Sequence, residues 1–139
     1  ILCKKTQEQL MICFLLIEFY LMHHAHGSGT LNINDKNLNK YFTEKLVDKS
    51  SKTQFQLLTK ALKILKPGHE MIYSTCSILE QENENVIKSV LNKNNAEIVP
   101  IEFEGIENLP LLETKIDGTL CIMPNELVEG FFIAKIRKK

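Results

Sequence analysis

The side chains with the widest chemical range in this sequence are its cysteines, Cys3, Cys13, Cys76 and Cys121. A thiolate can act as a nucleophile, a metal ligand or half of a disulfide, depending on its surroundings. No two of these cysteines have C-x-x-C or zinc-finger spacing, so a metal site is not expected. Without a credible secretory context the thiols are expected to be reduced, in a cytoplasmic setting. Cys76 stands apart because it directly follows an apolar strand-like stretch and is flanked by two hydroxyls, Thr75 and Ser77. From these residues alone it is either a small core residue at a strand end or an accessible nucleophile. Thr75 and Ser77 either shape the turn or touch a bound base or phosphate. Glu82 and Glu84 read as a solvated helix start that suits the helix dipole. Cys121 lies in an apolar strand and reads as core, while Cys3 and Cys13 carry no signal. His23, His24 and His26 cluster, but no acidic or thiol partner completes a metal site.

The elements around Cys76 follow from periodicity. A Gly/Ser/Asn/Asp-rich loop covers 27–37, and a helix is expected over roughly 38–48. A second helix follows, opened by Ser51 and Gln54 as an S-x-x-Q capping box. Its apolar positions Phe55, Leu58, Leu62 and Leu65 recur at helical spacing, and Pro67-Gly68 stops it. Residues 70–75 (EMIYST) read as a buried strand that ends at Cys76. Glu82 to Asn92 reads as a helix with Val86, Ile87, Val90 and Leu91 as its apolar stripe. A strand-like piece at 97–103 is broken by Pro100. Strands at 119–123 and 130–137, with a turn at Pro124-Asn125 between them, read as an antiparallel hairpin. Helix, strand, helix and strand followed by a hairpin is the second half of a doubly wound α/β sheet. In such sheets ligands bind beyond the carboxyl ends of the strands, which is where Cys76 falls.

Lys and Arg total 17, as do Asp and Glu, so the net charge is zero. A self-sufficient nucleic-acid binder is usually basic, so any RNA contact should be local or rely on another segment. Residues 10–22 (LMICFLLIEFYLM) are too short for a helix to cross a bilayer, and they contain Glu18. Lys4 and Lys5 before this run and small residues after it mimic a secretory leader. A buried strand or helix and a non-native segment are the other readings.

The stretch LLTKALKILKPGHEMIYSTCSILEQENENVI, residues 57–87, resembles the Sun/Nop family of S-adenosylmethionine-dependent RNA (cytosine-5) methyltransferases. Y-S-T-C-S at 73–77, followed by Glu82, Asn83 and Glu84, is the specific part, because LKPG alone occurs in many methyltransferases. Gly118-Thr119-Leu120, Pro124 and GFFIAKI at 130–136 resemble the family's closing hairpin, so the likeness runs from Gly27 to the end of the chain. The resemblance implies the C-terminal half of a Rossmann-like sheet, an incomplete domain, with Cys76 at the nucleophile position. Carbon 5 of cytosine is a poor nucleophile, and a thiolate that adds to carbon 6 makes carbon 5 enamine-like and ready for a methyl group. The target base must be unpaired or flipped from its stack. Ribosomal RNA is the implied partner, transfer RNA the second candidate, and neither membrane nor metal is expected. The alternative is a non-catalytic RNA-binding remnant of such an enzyme.

Three family features are missing from the sequence: a glycine-rich cofactor loop, an acidic strand end for the ribose, and an intact D-A-P-C-S-G-S-G-T motif. Gly27, Ser28, Gly29 and Thr30 match the end of that motif, and Gly27, Ser28 and Gly29 are candidate substrate-binding residues, but the residues before them match nothing. The genetic code offers a reason. A codon read from the third base of Met22 into His23 must be GCA, alanine. The same shifted frame allows D-A-P-C-S directly before Gly27, and upstream it allows IMQKDARTINDLLSFDRILF, which resembles the family's preceding segment. Residues 1–26 are therefore expected to be out-of-frame sequence, with residues 27–139 the C-terminal part of a catalytic domain. Sequencing the coding DNA tests this expectation: the shifted frame should stay open and spell that string, and a stop codon within it overturns the idea.

Overall fold

The structure is a computed structural model that describes residues 43–102, 105–125 and 128–139. The expectations for residues 1–42, including the run at 10–22, the histidine cluster and Gly27, Ser28 and Gly29, lie outside the described residues. The described elements are helix α1 (Glu44–Ile64), strand β1 (Glu70–Thr75), helix α2 (Glu84–Leu91) and strand β2 (Ala96–Val99), followed by strands β3 (Leu111–Leu112), β4 (Leu120–Ile122) and β5 (Phe131–Lys138). A single 3-10 turn, Ile106–Asn108, precedes β3.

α1 buries one stripe, Val47, Ser50, Gln54, Leu58 and Leu62, spaced by three or four residues as the helical repeat requires. The helix begins well before Ser51, so the expected capping box is corrected. Ser51 sits inside the helix, where its hydroxyl donates to the Val47 carbonyl and to the Gln81 carbonyl, each at 2.9 Å. Gln54 is fully buried rather than reaching back to a cap. The local S-x-x-Q signal lost because apolar periodicity continues upstream through Val47. α1 ends before Pro67, as expected, and Gly68 then takes a left-handed φ of 77°.

β5 organises the sheet. It pairs antiparallel with β1 along one edge, from Thr75 opposite Phe132 to Glu70 opposite Arg137. Two strands share its other edge: β4 pairs with residues 131–133, and β2 pairs with residues 135–138. β1 and β2 are both antiparallel to β5 and so run parallel to each other across it. This is how a helix-alternating chain comes to have antiparallel neighbours throughout its described sheet. β4 and β5 form the expected hairpin, and β3 adds an edge beyond β4. The 97–103 piece is shorter than expected: β2 stops at Val99, before Pro100, which has no amide hydrogen for a ladder.

Cross-strand partners share a face, so Met71, Tyr73, Ile136, Ala134 and Phe132 point to one side of the sheet. Both helices cover that side. Leu58 and Leu62 from α1 and Val86, Ile87 and Val90 from α2 join these strand residues and Cys121 in one buried cluster. The stripe expected for α2 is therefore the one it buries, with Leu91 packed at its margin. Tyr73 and Phe132 meet edge to face, with ring centroids 6.3 Å apart. Gly118 marks the point where β2 gives way to β4 along β5. Its φ is 83°, and a Cβ there would lie 2.9 Å from the Pro100 Cα, so both backbone conformation and space call for glycine.

Candidate active site

β1 ends at Thr75, and residues 76–83 form a loop that returns the chain to the start of α2. Four of the side chains that hold this loop in place are fully or almost fully buried. Asn83 is 0% exposed, and its carboxamide spans the loop base. Its Nδ2 donates to the Ser77 carbonyl at 2.8 Å, and its Oδ1 accepts from the Thr75 hydroxyl at 2.5 Å. Glu82 is also 0% exposed, and its Oε2 accepts from the Ser77 hydroxyl at 2.6 Å. The same Ser77 oxygen accepts from the Leu79 amide at 3.1 Å. Below the loop, the Tyr73 hydroxyl donates to the Glu82 carbonyl at 2.7 Å. Burial, and secondarily the Glu82 charge, hold the Tyr73 phenol well above its ordinary pKa, so it stays a neutral donor.

Cys76 is the residue that this framework leaves partly open. It is half-buried and not in a disulfide, and it lies directly beyond the carboxyl end of β1. Cys121 differs: it is 5% exposed, and burial first, then the Glu84 charge, push its thiol up to about 11. This agrees with its expected place in the core.

Thr75 and Ser77 do flank the thiol, but both are buried and their hydroxyls donate inward. In this structure they shape the loop. Glu82 and Glu84 require a correction. Glu82 is fully buried and Glu84 is 6% exposed, so they are not a solvated helix start. They turn inward because the hydroxyls and amides of a strand-end loop need acceptors once water is excluded. Glu84 Oε1 faces the Lys115 amide at 3.4 Å. Asn83 was not singled out by spacing or residue type, although its place in the E-N-E string was the available signal. One oxygen of Glu82, Oε1, has no hydrogen-bond partner among the described residues.

Among the described residues, no cluster of His, Cys, Asp and Glu could hold a metal ion, and no helix is long and apolar enough to cross a membrane. Nor does any described glycine-rich turn follow a strand and open a helix, the arrangement that would cradle a nucleotide-like cofactor. Gly68, Gly105 and Gly118 serve other turns.

Comparison with known proteins gives concordant results. The family described as 16S rRNA methyltransferase RsmB/F matches residues 24–137. Ribosomal RNA small subunit methyltransferase F of Vibrio vulnificus is 37% identical over 118 residues, covering 81% of this chain and 24% of its own length. The tRNA (cytosine(49)-C(5))-methyltransferase of Pyrococcus abyssi is 34% identical over 96 residues, covering 63% of this chain and 31% of its own. The crystal structure of a methyltransferase homolog protein from Pyrococcus horikoshii superposes with a TM-score of 0.60 at 33% identity, over 71% of this chain and 34% of that one. The chain thus spans about a quarter to a third of the length of these proteins. Its described architecture is that of the C-terminal half of a Rossmann-like methyltransferase sheet, closed by an antiparallel hairpin.

Two measurements follow from this geometry. Asn83→Ala removes partners from two buried groups, each worth about 1–3 kcal/mol when left unsatisfied. It should lower unfolding stability by about 3 kcal/mol, read as a lower urea midpoint at unchanged slope. Iodoacetamide at mildly alkaline pH should label Cys76 well before Cys121, with sites mapped by peptide mass spectrometry. Cys121 labelling should rise only as pH climbs toward about 11, because its thiolate is scarce below that. Equal labelling of the two would contradict the structure.

Proposed function

The chain belongs to the RsmB/F family of 16S rRNA methyltransferases, and on that premise we propose that it carries the nucleophilic part of an RNA (cytosine-5) methyltransferase site, with Cys76 as the attacking thiol. The observation that carries this reading is the half-buried Cys76 at the carboxyl end of β1, on a loop held by Asn83 and Glu82. S-adenosylmethionine, on which methyltransferases of this family depend, supplies the methyl group, and none of the described residues is assigned to hold it. The Cys76 sulfur, as thiolate, bonds to carbon 6 of an unstacked cytosine and moves electron density to carbon 5. Once carbon 5 is methylated, loss of its proton and of the sulfur from carbon 6 restores the ring double bond and the thiolate. Thr75 and Ser77 turn their hydroxyls inward and hold the loop, with the partly exposed Cys76 between them. Contact of their backbone, and of Gly27, Ser28 and Gly29, with the nucleotide belongs to the same proposal.

Ribosomal RNA is the proposed substrate class, supported by the family and by the Vibrio relative, with transfer RNA second on the strength of the Pyrococcus relative. The cytoplasm is the proposed setting. Residues 27–139 are assigned to the C-terminal part of the catalytic domain.

The chain alone, incubated with labelled S-adenosylmethionine and 16S rRNA, should transfer no methyl group. Residues 43–139 should then be grafted into the Vibrio vulnificus relative in place of the segment they match, and given 5-fluorocytosine RNA. The graft should form a covalent protein–RNA adduct that survives denaturing electrophoresis. Cys76→Ser should abolish the adduct, and Cys121→Ser should leave it. An adduct that persists in Cys76→Ser would assign the chemistry to another residue.

A further inference from the structure

The chain is neutral overall, yet α1 distributes its charge unevenly. Lys45, Lys49, Lys52, Lys60 and Lys63 are all exposed, and with Gln56 they recur at steps of three or four residues. At about 100° per residue they fall within a single narrow stripe, opposite the buried stripe of Val47, Gln54 and Leu62. At about 1.5 Å per residue the stripe is roughly 27 Å long. The helix has two acids, Glu44 and Asp48, both in its first turns. Among the described residues none of the five lysines takes part in an ion pair, whereas Lys115, Lys135, Arg137 and Lys139 do.

A second feature adjoins the stripe. A groove of about 310 Å³ runs between α1 and α2, lined by Lys52, Phe55 and Gln56 on one side and by Gln81, Asn85 and Ser89 on the other. That volume lies at the small end of the range for ligand-sized clefts, about 300–1,000 Å³. Lys52 and Gln56 belong to both stripe and groove. Lys93 Nζ lies over one face of the Phe55 ring, 4.7 Å from its centroid, and adds a further ammonium beside the groove. Ser51 donates to the Gln81 carbonyl at 2.9 Å and ties α1 to the loop that leads into α2.

Resting on the RNA-directed reading above, we infer that the α1 lysine stripe and the α1–α2 groove form a docking track for single-stranded RNA, separate from the Cys76 site. The lysines match a line of phosphates, which are bound as point charges and without regard to sequence. The groove matches a nucleobase: Phe55 offers an apolar face, and the Gln and Asn carboxamides with the Ser89 hydroxyl offer donors and acceptors to a base edge. Unpaired lysines in a row bind no neutral partner well. A flat aromatic groove between carboxamides distinguishes a nucleic-acid strand from a purely anionic surface. The track holds RNA flanking the target while the thiol meets the target itself.

The test is fluorescence anisotropy of a short labelled single-stranded RNA with the full 139-residue chain, alongside an abasic strand of equal length. Contacts from five lysines should weaken binding about a hundredfold between roughly 50 and 200 mM salt. The combined K45Q/K49Q/K52Q/K60Q/K63Q variant should lose most of that salt dependence and bind both strands poorly. Its substitutions are exposed, and a circular dichroism spectrum like that of the parent shows that its fold persists. Phe55→Leu should cost about tenfold for RNA and leave the abasic strand unchanged. Lys135→Gln, on the sheet, should leave binding as it was. RNA binding that survives the five substitutions overturns the track, as does binding of anionic lipid vesicles in preference to RNA. Equal loss of RNA and abasic strand in Phe55→Leu overturns the base groove. Failure of the track alongside an intact Cys76 adduct in the graft leaves the function standing, and the reverse outcome leaves the track standing.

Discussion

The structure depends on the burial of Asn83 and Glu82 against the end of β1. A loop that leaves the end of β1 and bends back to a helix carries hydroxyls, amides and carbonyls that become buried there. Each such group costs about 1–3 kcal/mol if it is buried without a partner. Asn83 is suited to this place because one carboxamide both donates and accepts, and here it answers the Ser77 carbonyl and the Thr75 hydroxyl together. Glu82 takes the remaining hydroxyl, that of Ser77. With its flanking hydroxyls fixed inward, Cys76 is the side chain of the strand-end trio left partly open to solvent.

The framework extends into the hydrophobic core through Tyr73. Its ring is fully buried against Phe132, while its hydroxyl reaches the Glu82 carbonyl. One residue therefore ties the loop to the apolar packing of β1, β5 and α2. Substitutions in the core beneath Cys76 are expected to act on the loop as well as on stability, since a rigid scaffold is what places a reactive group within tolerance. The ion pairs on the far side of the sheet contrast with this. Glu70 with Arg137, and Glu97 with Lys139, are partly exposed to solvent, and pairs screened in this way contribute little to stability. They order the surface of β1, β5 and β2 without setting the site.

Much of the fold was legible because its signals are periodic. The α2 stripe, the β1 run ending at Cys76 and the β4–β5 hairpin all appear where apolar spacing puts them. The start of α1 is not where the local cap motif at Ser51 puts it, because the buried stripe continues upstream through Ser50 and Val47. The antiparallel placement of β5 between β1 and β2 depends on contacts distant in sequence, and the alternation of helix and strand does not report it. Gly118 shows the same limit. Its need for a left-handed backbone is a common glycine role, but its closeness to Pro100 arises only when β2 and β4 meet along β5.

The amino-acid order alone singled out one thiol and where it falls along the chain. Cys76 follows a buried strand, and the string around it carries the family likeness, because strand periodicity and short motifs are written in neighbouring residues. Tertiary structure decided what the charged residues after it do. Glu82 and Glu84 look like a solvated helix start in one dimension, since acids at a helix beginning are favourable in water. In three dimensions both are buried and water is removed, so Glu82 serves the hydroxyl of Ser77 and Glu84 faces the backbone amide of Lys115. The environment of a polar side chain is set by what packs on it from elsewhere, and that is a property of the folded chain.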